Sequence, residues 1–104
     1  MDEIENLAEI FKALSDPTRL MLVKLLSECS PNDCGEALCV NALAQKVGVT
    51  QSAVSQHLRV LRQVRLIRGE RNGPFVHYSL DRDMLEQFKS QLRDTMGKSF
   101  AVNE

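Results

Sequence analysis

The 104-residue sequence is 43% hydrophobic and 26% charged with a formal net charge of -1, which suits one globular domain over residues 1–104 and excludes a chain disordered for want of apolar residues. Its three cysteines are an odd number, and the acidic start Met1-Asp2-Glu3-Ile4-Glu5 lacks the positive region of an export signal, so no disulfide framework is expected. The longest clean apolar run, Leu20-Met21-Leu22-Val23, is far too short to span a bilayer, and the expectation is a cytoplasmic protein with no membrane contact.

The first predicted helix covers about 4–14, where Ile4, Leu7, Ala8, Phe11 and Leu14 form an apolar stripe. Asp16 is placed to cap a second helix near 17–28, with Pro17 at its first position. Leu20, Val23, Leu25 and Leu26 mark that second helix as the central core element. Ser30-Pro31-Asn32-Asp33-Cys34-Gly35 follows as a polar loop. A short helix near 40–47 has Val40, Leu43, Ala44 and Val47 at i, i+3, i+4 and i+7. Gly48 is suited to end it in a left-handed conformation and Thr50 to cap another helix at once. Helix, tight turn with glycine, helix is the spacing of a helix-turn-helix, here about 40–64.

On the helix after Thr50, at roughly 100° per residue, Ala53, Val54, His57, Leu58, Val60, Leu61 and Val64 share one arc. The opposite arc holds Gln51, Ser52, Ser55, Gln56, Arg59, Arg62 and Gln63 and no carboxylate. A solvated face ordinarily mixes Glu with Lys, so this arc reads as a face for phosphates and base edges. The charge distribution agrees. Residues 1–37 carry eight acids against three bases, net -5, whereas residues 38–80 carry six bases against Glu70 alone, net +5. His57, on the apolar arc, reads as a core or hydrogen-bonded residue, and His77 as facing solvent or DNA.

Arg65-Leu66-Ile67-Arg68 and Phe75-Val76-His77-Tyr78-Ser79-Leu80 read as two strands joined across Asn72-Gly73. Val76, Tyr78 and Leu80 would pack inward, with Arg71 and Asn72 at the tip of a wing over about 65–80. A last helix, about 82–97, has the stripe Leu85, Phe88, Leu92, Met96. The fold class is therefore mainly α with a small β-hairpin (α+β), a winged helix-turn-helix. No Gly-rich phosphate loop, paired carboxylates with a matching histidine or nucleophile motif is present, so an enzyme is not expected. A winged helix used only for protein contacts remains the alternative, although it has no need of an acid-free arc.

Four stretches, Phe11-Lys12-Ala13-Leu14-Ser15-Asp16-Pro17-Thr18-Arg19, Leu38-Cys39-Val40, Thr50-Gln51-Ser52-Ala53-Val54-Ser55-Gln56-His57-Leu58 and Tyr78-Ser79-Leu80, resemble in their order the ArsR/SmtB family of metal- and metalloid-responsive winged-helix repressors. The resemblance implies a homodimer packed through the first and last helices, about 4–14 and 82–97, with an operator released on inducer binding. Two recognition helices would lie about one DNA turn (~34 Å) apart on an imperfectly palindromic double-stranded DNA operator. Gln51, Ser52, Ser55 and Gln56 are then expected at base edges or nearby phosphates, and Thr50, Arg59, Arg62, Arg71 and Asn72 on the backbone.

No cofactor is required by this reading, but the family's sensing sites can be compared with the sequence. The last-helix zinc site fails, since its positions correspond to Arg82, Met84, Thr95 and Lys98 and no histidine follows His77. The thiolate site at the start of the helix-turn-helix is matched by Cys39-Val40-Asn41, so one of its two thiols is present. Cys29, Cys34 and Cys39 at four-residue intervals would suit As(III), Sb(III) or a soft metal ion. A dithiol–disulfide switch and a purely structural role are the competing readings. The spacing is not a standard iron–sulfur pattern.

Overall fold

Four of the five helices described begin at a side chain that satisfies free N–H groups. Asp2 Oδ1 accepts from the Glu5 N–H at 2.8 Å, which holds the Asp2 carboxyl below its ordinary value. Asp16 Oδ1 accepts from Thr18 N–H at 2.8 Å and Arg19 N–H at 3.1 Å, the Arg19 bond being the chief cause of a lowered Asp16 pKa. Thr50 Oγ1 accepts from Ala53 N–H at 3.1 Å and Asp81 Oδ1 from Met84 N–H at 3.0 Å. The computed structural model describes residues 2–28 and 38–97. In chain order these form α1 (Glu3–Leu14), α2 (Pro17–Glu28), β1 (Leu38–Cys39), α3 (Val40–Val47), α4 (Gln51–Gln63), β2 (Ile67–Asn72), β3 (Phe75–Leu80) and α5 (Arg82–Met96).

The joint between α3 and α4 is the one expected. Gly48 sits at φ 73° with its N–H on Ala44 O, and Thr50 restarts the chain as a helix. The sheet departs from the sequence reading in three ways. It has a third strand, β1, in the antiparallel order β1-β3-β2, with Leu38 opposite Tyr78 and Cys39 opposite His77. The hairpin pairs Asn72 with Phe75, so its turn is Gly73-Pro74 and not Asn72-Gly73. Gly73, at φ 65°, takes the first central position, where a residue with positive φ suits the twist of the flanking strands. Finally β2 begins at Ile67 and not Arg65, because α4 is closed by a Schellman pair. Leu66 N–H donates to Leu61 O at 3.2 Å and Arg65 N–H to Arg62 O at 2.9 Å, with Arg65 in the left-handed region at φ 66°.

The core lies where α1–α4 meet the inner face of the sheet. It contains Ile10 and Ala13 of α1, Leu22 and Leu26 of α2, Leu43 and Ala44 of α3, and Val54, Leu58 and Leu61 of α4. Leu66, Ile67, Tyr78 and Leu80 complete it. Each fully buried leucine contributes roughly 1.5–3 kcal/mol of apolar transfer free energy, so this cluster outweighs any single surface contact. Two stripes are phased differently from the expectation. In α1, Leu7 and Ile10 face the core while Ile4 (60% exposed) and Phe11 (44%) do not. In α2, Leu22 and Leu26 are buried, whereas Leu20 is 52% exposed.

The last helix lies outermost. No described residue of α5 is buried; Leu85, Phe88 and Leu92 are half-buried and Met96 is exposed. Phe88 meets Phe11 of α1 edge to face, with centroids 5.6 Å apart. Among the described residues no helix is long and apolar enough to cross a membrane.

Candidate nucleic-acid interface

α4 is amphipathic in the sense that matters for docking. Val54, Leu58 and Leu61 anchor one side to the core, while Gln51, Ser52, Ser55, Gln56, Arg59, Arg62 and Gln63 are all exposed on the other. Its first turn contains no acidic residue, so the positive end of the helix dipole is left open to an anion. No described carboxylate lies within ion-pair distance of Arg59 or Arg62.

Beside this face runs a trough between α4 and the hairpin, made of three cavities that share lining residues. The first, of about 390 Å³, is lined by Cys39, Asn41, Gln51, Ser55, Phe75 and Tyr78 among others. Ser55 and Tyr78 also line the second, of about 420 Å³, together with Arg59, Arg62 and Gln63. Arg62 continues into a third of about 330 Å³ with Arg65, Arg68, Glu70 and Asp81. Four guanidinium groups thus border the trough against two carboxylates. One of these, Asp81, already caps α5 and lies 4.0 Å from Arg68 Nε. A groove of this sign beside a polar helix is shaped for a sugar–phosphate strand.

Of the expected contact residues, Gln51, Ser52, Ser55, Gln56, Arg59 and Arg62 lie together on α4 with Thr50 at its start, the Thr50 hydroxyl serving as the helix cap. Arg71 is exposed near the end of β2, and Asn72 ends that strand beside the turn. Sequence reasoning missed three residues. Arg65 and Arg68 extend the basic border, a place visible only once the Schellman turn is known. Asn41 accepts a hydrogen bond from the Gln51 side-chain amide, tying the start of α3 to the start of α4. His57 is half-buried with Nδ1 3.1 Å from Arg19 Nη1, in keeping with a hydrogen-bonded residue. His77 is half-buried in β3.

Of the three thiols, Cys39 alone falls within the described residues; Cys29 and Cys34 lie outside them. Cys39 is half-buried at the position preceding α3, and its side chain does not cap that helix. Among the described residues no three His, Cys, Asp or Glu side chains are grouped to hold a metal ion.

Comparison with known proteins agrees with this geometry. Residues 16–68 match the bacterial regulatory protein, arsR family. The chain is 36% identical to a transcriptional repressor SmtB homolog of Synechocystis sp. over 95% of its own length and 70% of that protein. It is 42% identical to the arsenical resistance operon repressor of Escherichia coli over 69% of its length and 56% of the relative's. Among solved structures it is similar to the homodimeric winged helix-turn-helix DNA-binding domain of a possible ArsR-family transcriptional regulator from Mycobacterium bovis. That likeness has a TM-score of 0.68 and 25% identity, over 83% of this chain and 74% of the other. With its helix-turn-helix and wing, the chain belongs to the arsR family and is a DNA-binding transcriptional regulator, not an enzyme.

Proposed function

We propose that the chain acts as a homodimeric repressor that covers an imperfectly palindromic operator and leaves it when a thiophilic inducer binds. The observation that carries the docking is the exposed, acid-free face of α4 beside a trough bordered by guanidinium groups. Gln51, Ser52, Ser55 and Gln56 take base edges and nearby phosphates. Thr50, Arg59, Arg62, Arg71 and Asn72 hold the backbone. The dimer is supported by apolar side chains that one protomer leaves in water, Ile4, Phe11 and Met96, and by an α5 without a buried residue.

The inducer reading assigns As(III), Sb(III) or a soft metal ion to thiolates of Cys29, Cys34 and Cys39. Two observations support it. Cys39 lines the same cavity as Gln51 and Ser55, so a ligand on its sulfur changes the surface that DNA must fill. A relative 42% identical to the chain is named an arsenical resistance operon repressor.

The test is fluorescence anisotropy of the reduced protein on duplex DNA from upstream of its own gene, followed by anaerobic titration with As(III). Binding weakened by Gln56→Ala and by Arg59→Ala is expected; unchanged affinity in both overturns the docking. Release by As(III) that Cys39→Ser abolishes is expected for the thiolate site. Binding that As(III) leaves intact but an oxidant reverses would replace metalloid sensing with a dithiol–disulfide switch on the same chain.

A further inference from the structure

The face of α4 that meets the core is apolar except at His57, and one cation reaches it. Arg19, in the first turn of α2, donates from Nε to Ala13 O at 2.6 Å, and its Nη1 lies 3.1 Å from His57 Nδ1. Its own backbone N–H is held by Asp16 Oδ1 at 3.1 Å. We infer that Arg19 is a positioning residue for DNA docking, fixing α4 against the joint of α1 and α2 through His57 Nδ1. The inference rests on the docking reading of α4 given above.

The chemistry of the contact fixes its direction. A guanidinium only donates, so in this contact His57 Nδ1 is the acceptor. Both bonds leave one planar group, so the position of the His57 ring is referred directly to the carbonyl of Ala13, in the last turn of α1. Apolar packing under Val54, Leu58 and Leu61 resists separation of α4 from the core but is not directional and opposes rolling or sliding only weakly. A charged donor that bonds Ala13 O and His57 Nδ1 separately supplies the missing direction. His57 lies between Gln56 and Arg59 in sequence, so any roll it permits displaces the side chains that face DNA.

The consequence reaches beyond one protomer. α1 also carries Ile4 and Phe11, part of the face assigned to the dimer. The link therefore references each α4 to the element that meets the two-fold axis, and with it the spacing of the two recognition helices. Losing it should cost more on a duplex with two half-sites than on one with a single half-site.

The experiment uses the full chain and a palindromic duplex enriched by the wild-type protein from a random library. A single half-site cut from that duplex serves as control. Arg19→Gln and His57→Leu are each expected to lose about tenfold in affinity on the palindrome and less on the half-site, within the coupling range of contacting residues. The salt dependence should stay that of the wild type, because no phosphate contact is removed. The double variant should be no weaker than the weaker single one. His57→Asn, which places an amide oxygen near the site of Nδ1, should recover most of the loss.

Multiplying losses in the double variant, or His57→Asn no better than His57→Leu, would overturn the inference while leaving DNA docking intact. If Arg19→Gln does not fold, the two His57 variants decide the matter by themselves. A wild-type protein that enriches no duplex overturns the docking reading and this inference with it.

Discussion

Replacing both Arg59 and Arg62 by Gln keeps two polar side chains on α4 but removes two positive charges per protomer. Both groups are exposed, both line the middle cavity of the trough, and no described carboxylate pairs with either. Each is therefore free to replace a counterion on a phosphate. In the proposed dimer four such contacts disappear, and at about 0.9 per contact the slope of log K against log salt becomes shallower by about 3.6. Between roughly 50 and 200 mM salt the wild type should lose about two orders of magnitude more affinity than the double variant. Anisotropy titrations on one duplex at four or five salt concentrations measure both slopes. A difference below about one would mean that these guanidinium groups do not meet phosphates, and the trough would lose its assignment as the bed of a DNA strand.

The other expected outcomes are structural. Leu58→Ala empties a fully buried position under α4 and should cost about 2–5 kcal/mol in chemical denaturation, well above the effect of any exposed substitution on the same helix. Thr50→Ala removes the cap bonded to Ala53 N–H and should cost about 1 kcal/mol in the same assay, with fraying of the first turn of α4 visible by hydrogen exchange. Arg65→Gly relieves a non-glycine residue at φ 66° and should raise stability by about 0.5–1 kcal/mol, while making the salt slope shallower if Arg65 extends the phosphate track. Phe11→Asp, on an exposed apolar side chain of α1, should shift the protein to monomer in sedimentation velocity; a dimer unchanged by it would place the interface elsewhere.

Much of this molecule was legible because its signals are local. Gly48 and Thr50 mark the turn of the helix-turn-helix by their own chemistry, and the period of Val54, Leu58 and Leu61 orients α4 without knowledge of its neighbours. The exposed, acid-free arc of α4 was legible as a missing charge type, which no core constraint explains. What escaped depends on partners far along the chain or on an unusual residue at a usual position. Arg65 stands where a helix-closing turn ordinarily has glycine, so the end of α4 looked like the start of a strand. β1 exists only through pairing with Tyr78 and His77. The stripe of α1 spans two arcs, and only the positions of α2 and α5 decide that Ile10 turns inward while Phe11 lies against Phe88.

The net charge of the chain would argue against DNA binding if it were spread evenly, and the fold explains why it does not. The basic segment, residues 38–80, supplies α3, α4 and both strands of the wing, and so the whole lining of the trough except Asp81. The acidic segment supplies α1 and α2, where Glu3, Glu5 and Glu9 are exposed along α1. Basic groups gathered on one helix and its neighbouring strand can attract phosphates although the whole chain is near neutral. Orientation in the encounter is then set before any base is read. The described acids of the acidic segment lie on or beside α1 and α2, and none is on α4. Near-neutrality overall is thus compatible with a strongly basic interface, provided that the sequence order of charge becomes a spatial order in the fold.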